Sequence, residues 1–338
     1  MNYKEGAPAL FHRVIMESGS PTSRAVRPYN ATIHELQFED FLRAVGCPAN
    51  LPKDEVFSFL RSLPSSTVTK AQTAVFDKYN PSLRWAFQPV IDDEIIHRKP
   101  LHAWNSQLWN KVPIMTGFTT NEGTMYVDKK MSNPSQFRRF WQNLLPELSS
   151  SDLDTIEELY PDPSTDPASP YIEDREGHGL GPQYKRIEAA YAHYAYVAPV
   201  RQTAEFASSQ GVSVYLYHWA LPRTVVGRAN HGDNMYYESY NKGITGISES
   251  QNELSGTLHA YITSFITHGD PNAIKGRCSQ RPQWEAFVPK DPRIMRFGEG
   301  NDELIGGPTA PPAKFVKDEW AREQTEFWWS KVPISQLA

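Results

Sequence analysis

Two short segments carry groups suited to proton transfer: Asn121-Glu122-Gly123 and Asn230-His231-Gly232-Asp233. A carboxylate set against imidazole Nδ1–H holds the ring in one tautomer. It also stabilises the imidazolium that forms when Nε2 takes a proton from a hydroxyl nucleophile. Glu122 is the candidate acid and His231 the candidate base. Taken singly each is a weak signal, because a Glu before Gly in a loop is commonly a solvated charge and a His before Gly a turn residue. Their placement strengthens both. Each follows a run that reads as a strand, residues 112–118 (VPIMTGF) and 212–219 (VSVYLYHW), and sites in α/β sheets gather beyond the C-terminal ends of strands.

Other candidates fit less well. His178, in Glu176-Gly177-His178-Gly179, is a rival base, but it lies in a loop ahead of a long helical stretch and reads as a surface residue. His193 and His259 fall within helical patterns and read as structural. Ser18 and Ser20 close the first strand. Gly246-Ile247-Ser248-Glu249-Ser250 is half of a Gly-x-Ser-x-Gly elbow, with no strand leading into Ser248. No His/Cys/Asp grouping has metal-ligand spacing, so no metal is expected.

The elements that must position these residues alternate between strand and helix. Residues 11–16 (FHRVIM) read as a buried strand stopped by Ser18-Gly19-Ser20-Pro21. Helices are expected near 34–45, 54–62, 183–209 (disturbed at Pro199), 254–268 and 320–331, with helical pieces over 135–160 broken at Pro146. Residues 85–96 read as irregular extended chain, and 161–181 and 221–233 as loops. Three strands separated by helices predict an α/β protein with a parallel sheet. The order of acid before histidine is that of the α/β-hydrolases, whose nucleophile comes earliest.

Bulk properties narrow the function. A net charge of −5, with no basic block, argues against a nucleic-acid partner. No run reaches the ~18 apolar residues of a membrane span. The first residues do not form a signal peptide. The two cysteines, Cys47 and Cys278, are too few for a disulfide framework and are expected as free thiols. That leans toward a reducing, intracellular setting but leaves the compartment unassigned. One sequon, Asn30-Ala31-Thr32, carries little weight. Aromatic residues at 12% suit either a packed core or an apolar pocket.

Several segments in order resemble the type-B carboxylesterases, the cholinesterase-like branch of the α/β-hydrolases. Phe11 to Pro21 (FHRVIMESGSP) is similar to the stretch after that family's nucleophile helix. Phe87 to Asp92 (FQPVID) is similar to the segment before its acid strand. Lys111 to Gly117 with Asn121-Glu122-Gly123-Thr124 resembles its acid motif. Val214 to Trp219 with His231-Gly232-Asp233 resembles its histidine strand and loop. Leu254-Ser255 through Gly269-Asp270-Pro271-Asn272, with Trp284 and Phe287, resembles its closing region. The resemblance implies hydrolysis of small apolar carboxylic esters by a Ser-Glu-His triad, with Glu122 and His231 as two of its members and no cofactor.

The sequence departs from the family at one decisive point. It contains no Gly-x-Ser-x-Gly elbow, and the family's oxyanion glycines have no counterpart. The elbow should precede Phe11 by one helix. The expectation is therefore one partial domain over residues 1–338: the C-terminal portion of an α/β-hydrolase, its N-terminal strands missing. Such a chain would be inactive by itself and prone to aggregate along an open strand edge. The family also closes a small loop by a disulfide at a Gly-Cys like Gly46-Cys47, but Phe59 stands at the partner's position. Relatives are often secreted, and the missing bridge puts that setting in doubt. A non-catalytic, adhesion-type binding protein of the same fold is the alternative; retention of both Glu122 and His231 argues against it.

Overall fold

The computed structural model describes residues 10–174, 179–222, 229–276 and 278–336; His178 and residues 223–228 of the 221–233 loop lie outside this range. The elements that build the sheet are β1 (Val14–Glu17), β4 (Ile114–Thr119), β5 (Val214–Trp219), β6 (Arg293–Phe297) and β7 (Ala313–Lys317), with β2 (Arg27–Pro28) and β3 (Val90–Ile91) forming a separate two-stranded ribbon. The main sheet has the order β1-β4-β5-β6-β7. β1 through β6 run parallel, and β7 turns back antiparallel on β6.

Every residue of β4 and β5 is buried, as expected for a parallel sheet covered on both faces. Their side chains alternate between two cores. Ile114, Phe118, Val214 and Leu216 meet Val200, Ala204 and Ala207 of the Ala198–Ser209 helix. Met115, Tyr215, Tyr217 and Trp219 meet Leu254, Leu258, Tyr261 and Phe265 of the Glu249–His268 helix. Gly117 is required by this packing, because a Cβ there would stand 2.4 Å from the Tyr217 ring. β1 is different. All four of its residues are only partly buried, and beyond β4 it meets no other strand among the described residues.

Besides the two-residue β2 and β3, two strands of the main sheet were not expected from the sequence, β6 and β7. Both are five-residue strands, and Gly- and Pro-rich chain separates them over residues 298–312. The helix Ser65–Tyr79 was also not expected. It follows Pro64 and begins with residues of low helix propensity, but buries Ala71 and Val75 one turn apart. The expected disturbance near Pro199 takes a definite form: the helix Tyr184–Ala192 runs into a π-helical stretch, His193–Val197, before the Ala198–Ser209 helix resumes. Proline has no N–H to give to the preceding turn, so the ladder slips by one residue there.

The C-terminal segment is tied to the core by a buried ion pair. Arg201 Nε donates to Asp318 Oδ2 at 2.8 Å, and its Nη2 donates to Oδ1 of the same carboxylate. Arg201 Nη1 reaches Thr325 Oγ1 at 2.6 Å, and Nη2 reaches the Trp320 carbonyl at 2.7 Å. Neither Cys47 nor Cys278 forms a disulfide. Cys47 and Phe59 pack against one small core around Phe41, Val45, Ala71 and Val75, so apolar contact stands where a disulfide was considered. No described helix is long and apolar enough to cross a membrane.

Candidate active site

Glu122 and His231 meet through a backbone bridge. β4 and β5 end in register at Thr119 and Trp219, and the chain after β5 returns so that Asn230 bridges Asn121 in parallel. Asn121 N donates to the Ala229 carbonyl at 2.8 Å. The residues after the bridging pair are Glu122 and His231, which thereby sit side by side. His231 Nδ1 lies 2.6 Å from Glu122 Oε2.

The carboxylate is fully buried and is turned onto its own strand end, where Oε1 accepts from Thr119 N at 2.7 Å. Gly123 makes that turn possible. A Cβ there would stand 2.1 Å from the Glu188 carbonyl oxygen, so only glycine lets the acid loop lie against the Tyr184–Ala192 helix. Asn121 Nδ2 donates to Glu188 Oε1 at 3.0 Å and ties the loop to the same helix residue. The histidine loop is closed by Asp233, whose Oδ2 accepts from Asn230 N at 2.9 Å.

With Nδ1–H given to a carboxylate, the neutral imidazole presents Nε2 as a base. No hydrogen bond engages Nε2 among the described residues, and the side chain keeps 29% of its surface exposed. Two tyrosines wall the ring. The Tyr196 ring lies 4.9 Å from it and the Tyr126 ring 5.6 Å, centre to centre. Tyr196 belongs to the π-helical stretch, so the helical slip ahead of Pro199 brings this wall to the imidazole. Neither tyrosine was picked out from the sequence. A proline in a helix on the approach to the site was the available signal.

The remaining candidates have other partners. Ser248 caps the Glu249–His268 helix, accepting from Gln251 N at 3.2 Å, while its own hydroxyl donates to Glu303 Oε2 at 2.7 Å. Ser20 Oγ pairs with Thr203 Oγ1 at 2.8 Å, and buried Ser18 takes a left-handed φ of 52°. His193 is buried with Nδ1 at 2.9 Å from Tyr160 Oη, and burial, with the Arg201 charge adding, pushes it down to about 3. His259 Nδ1 lies 2.7 Å from the Glu238 carbonyl. Among the described residues no three His, Cys, Asp or Glu side chains could hold a metal.

An acidic pair braces the histidine loop. Glu17, at the end of β1, accepts from Tyr217 Oη and from Asn234 Nδ2, each at 3.2 Å. It also shares a hydrogen bond with Glu238 at the end of the short Asn234–Glu238 helix. Burial pushes Glu238 up to about 9 from an ordinary 4.5, and the hydrogen bond and charge of Glu17 add to the rise. The native pair therefore keeps a proton that the unfolded chain releases. This stabilisation is complete below the unfolded value and is lost as pH rises through the folded one. Thermal stability is expected to fall as pH is raised from about 5 to about 9. Glu238→Gln, whose amide can donate to Glu17 at any pH, should flatten that decline in a melting series. Equal slopes in both proteins would rule out the shared proton.

A model of the carboxylesterase family matches residues 2–328. Secreted lipase 4 of Gibberella zeae is 28% identical over 333 residues, covering 97% of this chain and 56% of that protein. Lipase 1 of Geotrichum candidum is 25% identical, covering 85% of this chain and 49% of that lipase. The crystal structure of Aspergillus niger EstA superposes with a TM-score of 0.74 at 19% identity, covering 99% of this chain and 62% of that one. The fold is that of the α/β-hydrolases. The chain spans about half the length of the curated relatives it matches.

Proposed function

This chain belongs to the carboxylesterase family, and from that premise we propose that it supplies the acid–base half of a serine carboxylic-ester hydrolase. The observation that carries the reading is the 2.6 Å contact between His231 Nδ1 and the buried Glu122 carboxylate. A serine hydroxyl attacks the ester carbonyl while His231 Nε2 takes its proton. The imidazolium, held by Glu122, then returns that proton to the departing alkoxide. Water, deprotonated by the same Nε2, cleaves the acyl-enzyme and frees the acid. The tyrosine wall beside the imidazole offers an apolar surface to the hydrocarbon part of a small ester.

The nucleophile is the missing part. No Gly-x-Ser-x-Gly occurs in the 338 residues, and each serine weighed for the role lacks the elbow that would expose its hydroxyl. We propose that the serine and the oxyanion donors come from polypeptide outside this sequence, and that these residues alone do not turn over esters. The half-buried β1 edge is consistent with a further strand beside it. The test is p-nitrophenyl butyrate hydrolysis by this chain and by a polypeptide extended with the sequence encoded upstream of it. Turnover only by the extended form is the expected result. Turnover by the 338 residues alone would overturn the external nucleophile. An inactive extended form that is folded would favour the non-catalytic binding protein.

A further inference from the structure

His231 is fixed at one ring nitrogen only. Glu122 lies 2.6 Å from Nδ1, and no other hydrogen bond reaches the imidazole among the described residues. The ring's other close neighbours are aromatic. The Tyr196 ring stands 4.9 Å away with its plane at 42°, and the Tyr126 ring 5.6 Å away at 69°. The two tyrosines hold each other, with ring centres 5.7 Å apart and a hydrogen bond shared between their hydroxyls. Tyr191, fully buried, backs them at 5.7 Å from Tyr126 and 6.3 Å from Tyr196. Tyr196 is the nearer of the two to the base and the more deeply set, at 6% exposure.

A backbone irregularity puts Tyr196 there. It sits in the π-helical stretch His193–Val197. An α-helix turns by about 100° per residue, so a one-residue slip re-aims side chains by that angle. Such turns are rare and gather at functional sites. What this one delivers is an aromatic ring against the base. His231 becomes a cation whenever Nε2 takes a proton. A cation within about 6 Å of a tyrosine ring centre is attracted to the electron-rich face, more strongly where water is excluded. Burial holds both phenols above their ordinary range, so they stay neutral rings while the imidazole titrates.

We propose that Tyr196 is a positioning residue for the base, its ring steadying the imidazolium of His231 while that ring holds the serine proton. The serine proton rests on the ester-hydrolase reading; the pairing of the two rings does not. The titratable and charged groups that face His231 are Glu122 from the acid loop, Asp233 from its own loop, and Tyr126 and Tyr196. Arg24 lies behind the tyrosines and Glu188 behind Asn121. A change confined to the ring at 196 leaves the charges of Glu122, Asp233, Glu188 and Arg24 as they are.

The test weakens the face of the ring while keeping its shape. Tyr196→Phe is compared with phenylalanines at the same position carrying increasing numbers of fluorine atoms, which drain the π-face. The titration of His231 is followed by NMR in the 338-residue chain and needs no serine. Tyr196→Phe should titrate as the parent does. The proton affinity of His231 should then fall stepwise with fluorine number, by about threefold or more across the series. Tyr196→Leu should show the same fall; if it does not fold, the fluorinated series still decides. The absence of a fluorine trend, in proteins whose melting remains cooperative, overturns the proposal. A full loss already present in Tyr196→Phe would assign the effect to the hydroxyl and also overturn it. In the extended polypeptide, the acid limb of kcat/KM should move to lower pH along the same series. Turnover with a stationary limb sinks this proposal alone. A fluorine trend in the titration, with no turnover by the extended form, sinks the hydrolase reading and leaves the ring pairing standing.

Discussion

In the extended, ester-hydrolysing polypeptide, His231→Ala is expected to lower kcat by about 10⁶-fold, and Glu122→Gln by about 10⁴-fold. The two losses have different physical origins. Alanine removes the acceptor proposed to take the serine proton. Glutamine keeps an oxygen for Thr119 N, which Glu122 Oε1 now satisfies at 2.7 Å. Its amide, however, would face Nδ1 as a donor where the carboxylate accepted at 2.6 Å. The imidazole would then carry its proton on Nε2 and could no longer act as a base. Glu122→Gln should therefore recover part of its activity at high pH, whereas His231→Ala should not. A loss below tenfold for His231→Ala, with unchanged melting, would remove His231 from the mechanism.

Asp318→Ala is expected to destabilise the fold by about 3–5 kcal/mol, because it leaves the buried Arg201 charge unpaired. Both side chains are almost wholly inaccessible, at 2% and 1% exposure. Burial pulls Arg201 below the ordinary guanidine range, and Asp318 opposes that pull. The pair joins the Ala198–Ser209 helix, which covers one face of the sheet, to the segment after β7. Arg201→Met with Asp318→Leu should recover most of the loss, since no unpaired charge remains. Urea unfolding of the parent protein and these two variants measures this. A single-variant loss under about 1 kcal/mol would show that water reaches the guanidinium.

Local chemistry made the central strands and the two site loops legible. β4 and β5 are fully buried and mostly apolar or aromatic, with Thr116, Thr119 and His218 among them, and turn residues follow each. The Glu249–His268 helix ends where Gly269 takes a left-handed φ of 74°, as a Gly-Asp-Pro-Asn stop predicts. It starts five residues ahead of the expected Leu254, because Ser248 caps a first turn with little apolar patterning. β6 and β7 escaped notice because each is a five-residue strand whose pairing is made across a loop.

The sequence by itself determined the residue types at the strand ends, and so the pairing of a carboxylate with an imidazole as the chemistry to look for. Hydrophobic period and turn residues act over a few positions, and those short-range terms are readable along the chain. The tertiary structure alone decided which groups meet. Residues 109 apart touch because one backbone bridge, Asn121 to Asn230, aligns their loops. Tyr196 reaches His231 because a helix slips by one residue ahead of Pro199. Arg24, Arg27 and Arg84 share one cavity because the ribbon of β2 and β3 brings together segments some sixty residues apart. Contacts of this range depend on how whole elements pack, and no local pattern of residue types encodes them.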